Sequence, residues 1–135
     1  MRAFIVQLEN RRGMLAECLA TIAERGINLT SVGGAASGER GAIALLTDDE
    51  GGLRGALDGG GVGYEEAEAV TVSLEDRPGT LADAARRLGD AGVNISAVVP
   101  TGMGDGRVSL AMAVDDADGA RRALAELAGS AAGMG

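Results

Sequence analysis

Histidine, tryptophan and lysine are absent from this 135-residue chain, and it carries one Phe, one Tyr and one Cys. Without histidine it lacks the commonest general base and the commonest metal ligand. A single cysteine, Cys18, cannot close an intrachain disulfide or build a cysteine-rich zinc site, and such usage fits a reduced, cytoplasmic setting. With so few aromatic rings the core must be assembled from Ala, Val, Leu, Ile and Met, which suits thin helix-on-sheet layers. Acids outnumber bases by 20 to 12, a net charge of −8 shared evenly between the halves. An acidic, ring-poor chain lacks the basic footprint and stacking platforms of a nucleic-acid binder. No stretch approaches the roughly 20 apolar residues of a membrane span, and "MRAFIVQLENRRG" is too short in its apolar run for a signal peptide.

What the chain has is a repeat. Residues 6–32 align with 72–98 at an offset of 66, with identities at Val6/Val72, Leu8/Leu74, Glu9/Glu75, Arg11/Arg77, Gly13/Gly79, Leu15/Leu81, Ala16/Ala82, Gly26/Gly92, Asn28/Asn94 and Val32/Val98. Such self-similarity decides the fold before any local pattern does. Each copy opens with a strand, "AFIVQL" or "AVTVSL", that runs into a polar corner, "ENRRGML" or "EDRPGTL". Leu15, Leu19 and Ile22, and likewise Leu81, Ala85 and Leu88, recur at helical spacing. Gly26 and Gly92 follow as left-handed helix ends. Second strands "INLTSVGGA" and "VNISAVVPT", hairpins "SGERG" and "GMGDG", and third strands "AIALLT" and "RVSLAMAV" come next, the second hairpin reading one residue longer. Acid-led helices begin at "DDEGG" and "DDADG"; capping explains these acids better than a calcium loop, whose alternate ligands and closing Glu are missing.

The first copy closes with "GVGYEEAEA", a fourth strand running directly into the second copy, whose own end offers only "SAAGMG". The order is βαββαβ twice, an α+β class of two ferredoxin-like units with antiparallel sheets and both helices on one face. The boundaries fall at residues 1–67 and 68–135, and the second unit lacks a full fourth strand.

The repeated corner has two readings. Asn10 and Asp76, shortly before Gly13 and Gly79, could cap the helices. They could also accept hydrogen bonds from a ligand ammonium while first-turn amides hold a carboxylate. Asn28 and Asn94, each opening a second strand, could bond local backbone. With strand 1 ending and strand 2 beginning at one end of the sheet, they could instead join the corner on one amino acid.

The stretch "LEDRPGTLADAARRLGDAGVNISAV" resembles the ACT domain, a small-molecule-binding regulatory module, and "LENRRGMLAECLATIAERGINLTSV" follows the same pattern less closely. The resemblance implies a free-standing tandem ACT protein: a cytoplasmic homodimer, non-catalytic and without cofactor or metal, binding an amino acid between units. A regulated protein partner would follow, with no nucleic-acid or membrane partner. It implies ligand contacts at Asn10, Arg12, Gly13, Met14, Leu15, Asn28 and Leu29, and at Asp76, Pro78, Gly79, Thr80, Leu81, Asn94 and Ile95. Arg12 stands where the pattern has Pro, and Asn10 where it has Asp, so the second corner is expected to bind better. The alternative is an ACT scaffold that binds protein and has no metabolite ligand.

Overall fold

The computed structural model describes residues 1–127. The chain divides into two compact units, Arg2–Glu66 and a second from Ala67 onward, which includes Met1 through the Ala69 N–H bond to its carbonyl (2.8 Å). The N-terminal unit runs β1 (Arg2–Glu9), α1 (Met14–Ala23), β2 (Leu29–Ser37), β3 (Arg40–Thr47), α2 (Glu50–Gly59) and the first three residues of β4 (Tyr64–Glu75). The C-terminal unit continues with the rest of β4, then α3 (Thr80–Asp90), β5 (Ile95–Gly104), β6 (Arg107–Val114) and α4 (Ala117–Ala123). The expectation about a fourth strand in the second unit falls on residues 128–135, outside the described residues.

Each unit has the same sheet logic. β3 lies between β2 and β1, antiparallel to both, and β6 lies between β5 and β4 in the same way. Residues directly opposite in an antiparallel pair share a face, so Phe4 and Leu45 stand side by side, as do Val6 and Ile43. Cys18 and Ile22 of α1 and Leu53 and Leu57 of α2 pack on these four. In the C-terminal unit Val70, Val72, Leu74, Leu110 and Met112 receive Ala84 and Leu88 of α3 and Ala120 of α4. One cluster holding both helices and the sheet places both helices on one face, giving a ferredoxin-like α+β layer pair.

The stripe on α1 is rotated from its expected position. Cys18 and Ile22 face the core, whereas Leu15 remains 49% exposed; on α3 the core positions are Ala84 and Leu88, and Leu81 remains 45% exposed. The leading leucine of each helix does not reach the core.

The extra residue of the second copy is not in the hairpin. Two residues form each turn, Gly38 and Glu39 or Asp105 and Gly106; the additional one is Thr101, bulged out between the pairs Pro100–Leu110 and Gly102–Ser109. A bulge absorbs one residue without shifting the faces of the rest of the strand. Asp49 and Asp116 cap α2 and α4, accepting from the Gly52 and Gly119 N–H groups at 2.9 Å each.

Candidate ligand-binding corners

The two corners are built alike. β1 ends at Glu9, the Asn10 N–H donates to the Glu39 carbonyl (2.8 Å), and the chain turns through Arg11, whose N–H donates to the Glu9 carbonyl (2.9 Å). Gly13 follows with φ +89° and starts α1. The second corner repeats this with Asp76 to Gly106 (2.8 Å), Arg77 to Glu75 (2.9 Å) and Gly79 at φ +92°. Positive φ is why the glycine sits there. An ion pair spans each turn, Arg11 Nε to Glu9 Oε2 at 2.9 Å and Arg77 Nε to Glu75 Oε2 at 2.6 Å. The Arg77 guanidinium holds the Glu75 carboxyl below its ordinary pKa. Thr80 braces the second corner, its hydroxyl donating to the carbonyls of Glu75 (2.8 Å) and Arg77 (3.2 Å).

Neither Asn10 nor Asp76 caps a helix. The cap positions are the glycines themselves, which make no side-chain cap bond. The Asn10 amide instead donates through Nδ2 to the Gly38 carbonyl (2.8 Å), tying the corner to the hairpin and leaving Oδ1 as an acceptor. Among the described residues nothing pairs with the exposed Asp76 carboxylate. The acceptors that a capping role would have occupied remain available.

Each corner opens onto a cavity. In the N-terminal unit Asn10, Met14 and Leu15 line about 370 Å³ together with Glu9, Arg11 and Leu19 and with residues of β2 and β3; Arg12 does not line it. In the C-terminal unit Pro78, Gly79 and Thr80 line about 380 Å³ with Ser73, Asp83 and Arg107; Asp76 and Leu81 do not line that one. Arg107 is held by Ser73, with Nε to the hydroxyl at 2.9 Å and Nη2 to the carbonyl at 2.8 Å.

The asparagines do not join their own corners. Glu9 pairs with Arg40, at the start of β3, whereas Leu29 pairs with Thr47 at its end. Glu75 pairs with Arg107 and Ile95 with Val114 in the same way. Seven residues of strand separate the two ends, roughly 23 Å at about 3.3 Å per residue. The crossover helix is the reason: strands 1 and 2 run parallel, so the helix carries the chain back before strand 2 begins. The expectation of a shared sheet end is therefore wrong within one unit. Asn28 and Asn94 are exposed, and among the described residues only their backbone groups are engaged: Thr47 Oγ1 donates to the Asn28 carbonyl (2.7 Å), and Asp115 receives the Asn94 N–H (2.9 Å). Leu29 and Ile95 rest against their unit's core.

Two features escaped the reading of the sequence. The Glu–Arg clips were visible as repeated identities but were assigned no role. Arg107 needed the register, which sets the first residue of β6 beside the corner strand.

The ACT domain family model matches residues 69–130. Protein BT0572 from Bacteroides thetaiotaomicron is similar in structure, with a TM-score of 0.73 and 22% identity over 93% of this chain and 86% of that one. The ligand-free regulatory subunit of aspartate kinase from Thermus thermophilus aligns with a TM-score of 0.63 and 20% identity, over 93% and 91%. That subunit from Thermus flavus gives 0.60 and 20%, over 93% and 90%. No curated protein sequence matches the chain. The stretch 69–130, which carries the strands, helices and corner of the second copy, thus matches the ACT domain family model.

Proposed function

We propose that the chain is a non-catalytic regulatory module that binds an amino acid where one ACT-like unit meets another. Residues 1–67 are the first such unit and 68–135 the second. The corner of one unit and the strand-opening Asn of a different unit hold the ligand. One observation carries this reading: in each unit the corner and the Asn are exposed, unspent in capping, and lie at opposite ends of the same sheet. No small ligand reaches both within one unit. Among the described residues β2 and β5 are outer strands, β2 paired with β3 and β5 with β6. An outer strand pairing antiparallel with another unit's outer strand would bring the Asn that opens one alongside the corner level with the end of the other. The regulatory-subunit relatives and the ACT match support a regulatory, ligand-binding role. A homodimer provides the second unit.

The test is a thermal-shift panel of free amino acids at millimolar concentration. At 100 times Kd a ligand of the native state adds about 2.7 kcal/mol, which is roughly 10 °C for a chain of this length. No shift with any amino acid, on folded protein, overturns the reading. It would favour the scaffold alternative, which draws on the matched exposed pairs Leu15/Val32 and Leu81/Val98.

A further inference from the structure

We infer that the N-terminal unit holds the selective cleft, and that it takes an α-amino acid with a large apolar side chain. This rests on the amino-acid reading above and departs from the expectation that the second corner binds better.

Strand register carries the argument. Ile43 lies opposite both Val6 and Gly34, and Gly41 opposite both Leu8 and Ala36. Opposite residues share a face, and Val6 and Ile43 are in the core beneath the helices. Gly34, Ala36 and Gly41 therefore face α1, and the cavity of about 370 Å³ lies over them, walled by Leu15, Leu19 and Val32. That size is within the range of small-molecule sites. In the C-terminal unit the same register places Pro100 opposite Leu110 and Met103 opposite Val108. Pro100, Met103 and Val108 thus stand where the N-terminal unit has Gly34, Ala36 and Gly41. The walls did not shrink in step: Leu15/Leu81 and Val32/Val98 are identical, and Leu19 is larger than its counterpart Ala85. The floor has been hollowed in the N-terminal copy while the walls kept or gained bulk. Gly34 is also fixed by sterics, because a Cβ there would lie 2.6 Å from the Ile43 Cγ2.

The cleft has one polar end. Glu9, Asn10 and Arg11 line it beside Met14, with the Arg11 guanidinium paired to the Glu9 carboxylate at 2.9 Å. An ammonium finds acceptors in Glu9 and Asn10, and a carboxylate finds a donor in Arg11. An apolar side chain then covers the glycine floor and the exposed faces of Leu15 and Val32. A polar side chain in that position would lose water without gaining a partner.

The test is calorimetric titration of the full chain with leucine, methionine and phenylalanine against serine, aspartate and lysine, using the wild type and three variants. Ala36→Met installs the side chain of the second copy, Leu15→Lys charges the wall at an exposed position, and Met103→Ala is the matched change in the other unit. Apolar amino acids are expected to bind; Ala36→Met and Leu15→Lys weaken them about 10- to 100-fold, the equivalent of losing one buried aliphatic contact. Met103→Ala leaves affinity within about twofold. Should Ala36→Met not fold, by circular dichroism, Leu15→Lys carries the comparison. Preference for polar amino acids, or apolar binding that survives Leu15→Lys, overturns this inference while leaving amino-acid binding intact. Binding of none overturns both. A wall variant that alters only the oligomeric state assigns the groove to a second copy and also overturns it.

Discussion

Replacing Gly79 by alanine separates the two reasons a glycine could occupy the corner. Its φ is +92°, and a Cβ built there meets no atom within 4 Å. The protein therefore has room for the methyl, and only the backbone objects. A left-handed conformation costs an L residue about 1–2 kcal/mol. Alanine recovers about 0.4–1 kcal/mol by restricting the unfolded chain. The net expectation for Gly79→Ala is a loss of about 1 kcal/mol. In urea, at a slope of about 2 kcal/mol/M, that moves the midpoint down by roughly 0.5 M. Gly13→Ala should behave alike, since φ is +89° and the space is equally open. Gly79→Asn should lose less, because asparagine tolerates the left-handed region. An unchanged midpoint for both alanine variants would refute the conformational account and leave close approach of a ligand as the reason for glycine. Loss of stability at neutral binding places the methyl away from the ligand; loss of both places the ligand against the corner.

Two other outcomes follow from the same geometry. Asp49→Ala and Asp116→Ala each remove the acceptor of a first-turn N–H and should cost about 1 kcal/mol by chemical denaturation, whereas serine at either position should be close to neutral. Glu66 is gripped by Arg54 through Nε and Nη2, both at 2.7 Å, and its carboxyl is held below the ordinary value chiefly by that bond. A depressed folded pKa stabilises the fold above the unfolded pKa of about 4.3, and the gain is lost as pH falls through the folded value. Glu66→Gln should thus be less stable than wild type at pH 7, with the gap closing as the pH drops below about 4. A gap that persists to pH 2 assigns the effect to packing.

The sequence was most legible where periodicity and repetition agreed. Val6 and Val72, Gly26 and Gly92 lie where a strand and a left-handed helix end require them, with φ of +73° and +77° at the two glycines. Legibility stopped at faces and ends, which spacing along one element does not specify. Leu15 and Ile22 both fit a helical stripe, yet only the sheet decides which of them meets the core. Asn10 looked like a cap because it is short, polar and close to the helix, but the positive-φ glycine took that position and turned the amide towards Gly38.

The same limit explains why the hollowed floor was hidden. With the extra residue read into the hairpin, Ala36 still aligns at 66 and falls on Gly102, so its true counterpart Met103 is missed by one place. Thr101 bulges before the hairpin, so the shift to 67 begins inside β5. Only then do Ala36 and Met103 coincide. Gly34 and Pro100, before the bulge, already coincide at 66, but their meaning depends on facing α1 and not the other side of the sheet. A duplicated chain diverges where its copies do different work. Here Leu8, Glu9, Arg11, Gly13, Leu15 and Val32 were kept, while the three floor positions Gly34, Ala36 and Gly41 became small where the second copy has Pro100, Met103 and Val108. A general loosening of the N-terminal copy would have shrunk the walls as well, whereas Leu15 and Val32 were kept and Leu19 is larger than its counterpart Ala85.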